Sequence, residues 1–458
     1  MATVEKEVVA EAVPVEGRGR LLRVLGVLFG LAVTVGITIG MGILRTPGEV
    51  ARQLPHAWLF LGAWVLGGVY ALFGAVSVAE LGTMIPRSGG FYVFTRRALG
   101  EYPGFVVGWS DWLSTCGTVA AVALVLGEYA GLLLPALKGR DVPVALFVAG
   151  AFALLNWHGV RWGGRSQELT SLLKTVAFAA LITACFAWGA RWDAGAAPTP
   201  TVPTGLGLLT AVVLALQGVV VTYDGWYSTI YFGEEVEDTE RNVPRAMIGS
   251  VLLVGVVYLL FNAALLYVLP LGRLAGQEFA ARAAAEAIFG TRGAAIIGVV
   301  AILSLLASVN GNTMTAPRVA YALSRDRLFW RGAGAVNRGG TPAPALALSA
   351  AVALLMIVFS GGFQRVLAAL FFFFVTNYTL TFLSVFVLRR REPEAERPYR
   401  AWGYPFTTAL AFAGSVALLV GAVWSDTENS LYALGLLALS LPVYLVIRRA
   451  RGEATTGK

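Results

Sequence analysis

Gly36-Ile37-Thr38-Ile39-Gly40-Met41-Gly42 lies deep within an apolar run from Leu21 to Leu44 whose only charge is Arg23. A bilayer crossing takes about 20 apolar residues, so the run is long enough to span. Yet three glycines crowd seven positions of its outer half. Each costs a helix interior about 1 kcal/mol relative to alanine. Lipid offers no hydrogen bonds to loosened backbone, which persists at membrane depth only where protein or a water-filled cavity covers it. Two readings follow. A glycine-interrupted span is a candidate binding site, and the pairs Gly26/Gly30 and Gly36/Gly40 also fit the small-xxx-small pattern of close helix packing.

The composition sets the class. The chain has 458 residues, 57% hydrophobic and 14% charged, against about 25% charged in soluble domains. This is the composition of a polytopic membrane protein. The net charge of +8 is not a nucleic-acid signal, because the basic residues fall in the short loops of one face. Cys116 and Cys185 lie inside apolar segments, so no disulfide framework is implied. Residues 1–20 lack the apolar core of a signal peptide and read as a solvated tail. His56 and His158 sit at span ends without metal-ligand spacing. There is no Gly-rich phosphate loop, nucleophile elbow or HExxH. No cofactor, metal or catalytic residue is therefore expected, and nucleotide-driven pumping is not.

Twelve apolar segments are expected, at about 22–52, 57–85, 92–136, 142–160, 167–190, 206–233, 246–270, 292–325, 342–360, 362–389, 404–425 and 429–449. The third and eighth are long enough to imply tilt. Lys and Arg concentrate on one side, in Lys6 to Arg23, Arg87 to Arg97, Arg318 to Arg338, Arg389 to Arg400 and Arg448 to Lys458. By the positive-inside rule that side is cytoplasmic, and both termini lie there.

Segment six carries a second break, Thr222-Tyr223-Asp224-Gly225-Trp226, between a long apolar half and a short one. Asp224 is an ionisable group near mid-span, which marks function by default. It reads either as a cap on the second half-helix or as a substrate contact, the cap being preferred. The breaks are five segments apart, and corresponding breaks in two halves point to an inverted-repeat transporter. Lys174, in segment five, either snorkels to the interface or replaces a bound cation, with Ser304 and Ser308 of segment eight as hydroxyl acceptors. Asp111, Glu128 and Glu80 read as interface or packing partners.

The stretch Gly36 to Pro47, GITIGMGILRTP, resembles the first-helix signature of the amino acid–polyamine–organocation transporters. Further matches are Ala79-Glu80-Leu81-Gly82 with Ile85 to Gly90, Tyr223 to Trp226 with Glu234-Glu235 and Asn242 to Ala246, and Ser308 to Gly311 with Arg318. The similarity covers nearly all of 20–450 and is closest to the L-type amino acid transporter branch and its bacterial relatives. It implies an all-α, LeuT-type fold of 12 transmembrane helices, with helices 1 and 6 discontinuous. One domain, 21–450, would hold two inverted five-helix repeats (about 21–190 and 206–389) and two further helices (about 404–449), followed by a tail at 451–458.

The resemblance also implies a site. The substrate carboxylate would meet amides matching Gly40, Met41 and Gly42. Its ammonium would meet carbonyls matching Thr38, Val221 and Asp224, with Ile39, Tyr223 and Gly225 completing the two unwound stretches. Lys174 stands where sodium-coupled relatives hold sodium, with Ser308 as its partner. Two departures matter: Met41 stands where this branch often has serine, and Val221 where several relatives carry an aromatic gate. The loop Leu137 to Pro143 lacks the cysteine that links a glycoprotein subunit in animal relatives, so no covalent partner is expected. The expected activity is sodium-independent transport of a zwitterionic, neutral α-amino acid by alternating access in the plasma membrane. The alternatives are a polyamine or basic amino acid exchanger, with Asp224 as its only evident anion, and an amino acid sensor that does not transport.

Overall fold

The computed structural model describes residues 20–189, 201–359, 363–425 and 427–456. Of the expected tail at 1–20, residues 1–19 lie outside the described residues. The rest is helical, with one isolated β-bridge, Leu25 to Val236. The helices are α1 (Val27–Thr38), α2 (Gly42–Gln53), α3 (Ala57–Met84), α4 (Phe91–Leu99), α5 (Glu101–Leu133), α6 (Asp141–Trp157), α7 (Val160–Trp188), α8 (Leu206–Thr222) and α9 (Thr239–Val268). They continue as α10 (Leu271–Leu274), α11 (Ala280–Phe289), α12 (Gly293–Arg325), α13 (Ala343–Val358), α14 (Phe363–Arg391), α15 (Phe406–Ser425), α16 (Thr427–Ala438) and α17 (Ser440–Thr456).

Among the described residues, eight stretches of helix are long and apolar enough to cross a membrane, and α1 with α2 forms a further span bent by 49°. Three shorter apolar helices are α6, α8 and α13. The protein is thus a multi-pass helical membrane protein. The third apolar segment, expected as one tilted span, is two helices. Gly100 has φ +102°, a conformation open to glycine and strained for other residues. It separates amphipathic α4, with Arg96 and Arg97 in its last turn, from the 33-residue α5.

The bundle is built around α5 and α12, which pack against each other. Every residue of α12 from Ala307 to Ser324 is buried, and a helix covered on all sides belongs to the centre of a bundle. α1 packs against α9, α7 and α12, and α2 against α8. The two halves of the bent span therefore have different neighbours and meet at residues 39–41.

One end of the bundle is tied by charge. Arg318, 1% exposed, donates to both carboxylate oxygens of Glu235, 0% exposed, at 2.9 and 2.7 Å. Arg325 pairs with Glu234 at 2.7 Å, and Arg87 and Arg96 pair with Asp326 at 3.2 and 3.0 Å. The amides of Val24 and Leu25 donate to the Glu235 carbonyl. The start of α1, the loop before α9 and the end of α12 are thereby held together. Beside them Glu80 is buried, accepting from Arg389 and from the Ala401 amide.

Candidate functional site

α1 stops because its backbone turns at Ile39, where ψ is 78°. The Gly40 amide donates to the Thr38 carbonyl at 2.8 Å, and the next backbone bond runs from Leu44 to Met41. The first amides of a helix have no acceptor within it. Among the described residues, those of Met41, Gly42 and Ile43 find none elsewhere on the backbone. Of the three amides assigned to the carboxylate, Gly40's is therefore turned inward and the other two stay free. Free amides at a helix N-terminus bind anions.

The carbonyls released on the α1 side are mostly taken. Lys174 is 0% exposed, so its ammonium does not reach the interface. Nζ donates to the carbonyls of Gly36 at 2.6 Å and Ile39 at 2.5 Å, with Ser308 Oγ at 3.4 Å. Ser308 donates to Gly36 O at 2.9 Å, and Ser304 to Ile39 O at 2.7 Å. One cation and two hydroxyls thus cross-link α1, α7 and α12. Among the described residues the buried Thr38 hydroxyl has no hydrogen-bond partner.

The second break lies where expected, but its far half is not an α-helix. α8 ends at Thr222, Gly225 takes φ +107°, and the chain continues as a 3-10 turn over Ser228–Phe232. No side chain caps that turn, which removes the cap role for Asp224. Its carboxylate instead accepts from the Tyr227 hydroxyl at 3.3 Å. Tyr223 faces away from the break, its hydroxyl donating to Trp64 O at 3.2 Å and its ring against Tyr258. Val221 is 48% exposed, so no large side chain closes over it.

Tyr258, which sequence reasoning passed over, joins the two breaks. Its hydroxyl lies 2.8 Å from Thr38 O and 2.9 Å from Thr222 O. The available signal was a tyrosine inside the apolar run of α9, because a buried phenol needs a hydrogen-bond partner. The same holds for Gln167, Asn310 and Asn156, which form a chain of buried amide contacts behind α1.

The glycines divide between the two readings. A Cβ on Gly36 would sit 2.0 Å from Gln167 Nε2, and one on Gly30 2.6 Å from Ala246 Cβ, so these serve close packing. A Cβ on Gly40 would meet nothing nearer than 3.7 Å, whereas one on Gly42 would press on Thr222 at 3.0–3.3 Å. Gly40→Ala is therefore expected to leave the melting temperature nearly unchanged. Any loss of ligand affinity then reports that a ligand lies against that backbone. Gly42→Leu is expected to lower affinity while the protein still inserts, with equilibrium binding as the check. Wild-type affinity in both variants would place the ligand elsewhere.

A bent span with free amides, facing a second unwound span inside a helical bundle, defines a membrane transport protein. Comparison with known proteins gives the family. The amino acid permease family model matches residues 25–441. The serine/threonine exchanger SteT of Bacillus subtilis is 30% identical over 94% of this chain and 98% of its own length. The human large neutral amino acids transporter small subunit 2 is 29% identical over 95% of this chain and 83% of its own. The rabbit (Oryctolagus cuniculus) b(0,+)-type amino acid transporter 1 is 29% identical over 83% and 79%. The chain belongs to the amino acid permease family, and its activity is amino acid transport.

Proposed function

We propose that the protein carries a zwitterionic, neutral α-amino acid across the plasma membrane without sodium, by alternating access around the two breaks. It does no covalent chemistry and needs no cofactor. The observation that carries this reading is the division of labour at the first break. Free amides of Met41 and Gly42 suit a carboxylate, and a built-in ammonium, Lys174, holds the carbonyls that a metal cation would otherwise hold. The substrate ammonium is left the unwound stretch from Val221 to Gly225 and the unpartnered Thr38 hydroxyl. The serine/threonine and large-neutral specificities named for two relatives support a neutral substrate.

In this reading the fold is LeuT-type. The eight long helices, the bent pair and the three short apolar helices make twelve crossings, with repeats at about 21–190 and 206–389. Both termini are cytoplasmic, and so is the end sealed by Arg318 and Glu235. No disulfide-linked subunit is expected.

Competition in proteoliposomes tests the substrate class. Decarboxylated and N-acetylated analogues each lose one charged group. A charged hydrogen bond contributes about 1.5–3 kcal/mol, so each analogue should bind roughly tenfold more weakly or worse. Agmatine or putrescine outcompeting neutral amino acids would replace this reading with the polyamine one. Binding without flux of labelled amino acid would make the protein a sensor.

A further inference from the structure

α1 is tied to its neighbours in two different ways. Toward the loop before α9 the ties are backbone. Leu25 pairs with Val236 across a parallel bridge, and the Glu237 amide donates to the Leu25 carbonyl at 2.8 Å. Toward α7 the ties run through side chains. Gln167, Ser171 and Lys174 lie on one face of α7, and the carbonyls they reach, those of Ala32, Gly36 and Ile39, repeat the same spacing on α1.

The two ends of this ladder are unequal. At the break, a buried ammonium that leaves its carbonyls is stranded. At the other end, Ser171 Oγ and Gln167 Nε2 donate to the Ala32 carbonyl at 2.7 and 3.3 Å. Both have substitutes on α7. Gln167 Nε2 also donates to Ser171 Oγ at 3.2 Å, and a helical serine hydroxyl can turn to the carbonyl one turn back. Ala32 lies within α1, so its carbonyl keeps its helical amide. This end can therefore let go without leaving a buried group unpaired. What stands behind Gln167 holds its direction. Its Oε1 accepts from Asn310 Nδ2 on α12 at 2.9 Å, and Asn310 Oδ1 accepts from Asn156 Nδ2 on α6 at 2.9 Å. With its oxygen engaged there, the Gln167 amide turns its nitrogen to α1. The three amides are at most 3% exposed. Glycine makes room for them: a Cβ on Gly36 would lie 2.0 Å from Gln167 Nε2 and 2.4 Å from Ser171 Oγ, and one on Gly163 2.0 Å from Asn156 Oδ1.

We propose that Gln167, oriented by Asn310 and Asn156, forms with Ser171 a releasable catch on α1. It holds α1 against α7 while the Arg318–Glu235 end is sealed and gives up the Ala32 carbonyl when that end opens. Gln167 is a positioning residue, acting on the substrate only through α1. The catch rests on the transport reading and on its orientation.

Gln167→Met keeps the length of the side chain and removes its donor, and Ser171→Ala, the milder change, removes the hydroxyl. Thr175→Ala is the control, because that hydroxyl bonds the Ser171 carbonyl on its own helix. In hydrogen-exchange mass spectrometry of the purified proteins, both variants should exchange the amides of residues 24–35 about fivefold faster than wild type, with those of α12 unchanged. In oriented proteoliposomes with labelled L-threonine and L-leucine run in parallel, the external KM should rise about threefold and the internal KM should fall. Apparent affinity follows the fraction of carrier facing each side. Thr175→Ala should match wild type in both measurements. Loss of packing alone lowers the melting temperature and the maximal rate without moving the two KM values apart. If Gln167→Met does not fold, Ser171→Ala decides the matter. Unchanged hydrogen exchange in α1 would overturn the catch, as would KM values that stay the same or shift together. Opposite shifts of the reverse sense would put the sealed end outside and leave the catch standing. If hydrogen exchange quickens in the variants but wild type moves neither amino acid, the transport reading fails while the catch stands.

Discussion

Arg318→Ala is expected to lower the melting temperature of the purified protein by several degrees and to abolish productive exchange. The ion pair it breaks has partners 1% and 0% exposed, so the variant strands the Glu235 carboxylate in a site without water. Removing one member of such a pair costs about 3–5 kcal/mol. The guanidinium also donates to Met314 O and lies 4.6 Å from the Phe232 ring centroid, so packing is lost as well as charge. The cost falls where α12, the loop before α9 and the start of α1 converge, which in the proposed orientation is the inner seal. A carrier whose inner seal is weak spends its time open inward and fails to return.

A second variant separates folding from switching. Arg318→Met combined with Glu235→Leu removes both charges together, and replacing a whole buried pair with apolar groups is often neutral or stabilising. The double variant should regain most of the melting temperature. Its exchange should stay slow, because apolar contact cannot be traded for hydration as the charges are when the inner side opens. Unchanged melting in Arg318→Ala would show that the pair contributes nothing to the closed end. Full exchange in the double variant would show that it does not act in switching.

What could be read beforehand follows from how local each signal is. The first break was legible because glycine acts on its own helix, and three glycines in seven residues disturb any helix. The second was legible because Asp224 and Gly225 interrupt an apolar run. What lay beyond it was not. Nothing in Tyr227 to Gly233 distinguishes an α-turn from a 3-10 turn. Tyr223 entered the candidate site by its place in the chain, yet its rotation sends the ring to Trp64 and Tyr258. Lys174 was ambiguous for the same reason, since depth in a span can be counted but facing cannot. Glu235 was marked only as part of a motif of the resemblance, with no pairing attached to it. Its partner is 83 residues away in sequence, and no local pattern announces such a pairing.

The same anatomy gives Lys174→Ala its expected outcome. In the intact protein the ammonium holds the Gly36 and Ile39 carbonyls, with Ser308 and Ser304 bonded to the same two oxygens. A charged hydrogen bond contributes about 1.5–3 kcal/mol, and alanine removes two of them from a site closed to water. The free amides that would take the carboxylate belong to α2, on the other side of the break, and do not touch the lysine. Affinity for amino acid should therefore fall little. What is lost is the link between α1 and the α7 and α12 scaffold, so the two conformations are no longer balanced. Exchange should slow by tenfold or more. In the proposed reading the protein carries this cation itself, so wild-type exchange should proceed equally with sodium or choline outside. The variant leaves a cluster of carbonyl and hydroxyl oxygens of the kind a hard cation binds, so sodium should restore part of its rate. Exchange measured in sodium and in choline for both proteins decides the matter. A sodium requirement in wild type would contradict the built-in cation, and undiminished exchange by Lys174→Ala in choline would show that the carbonyls hold their geometry without it.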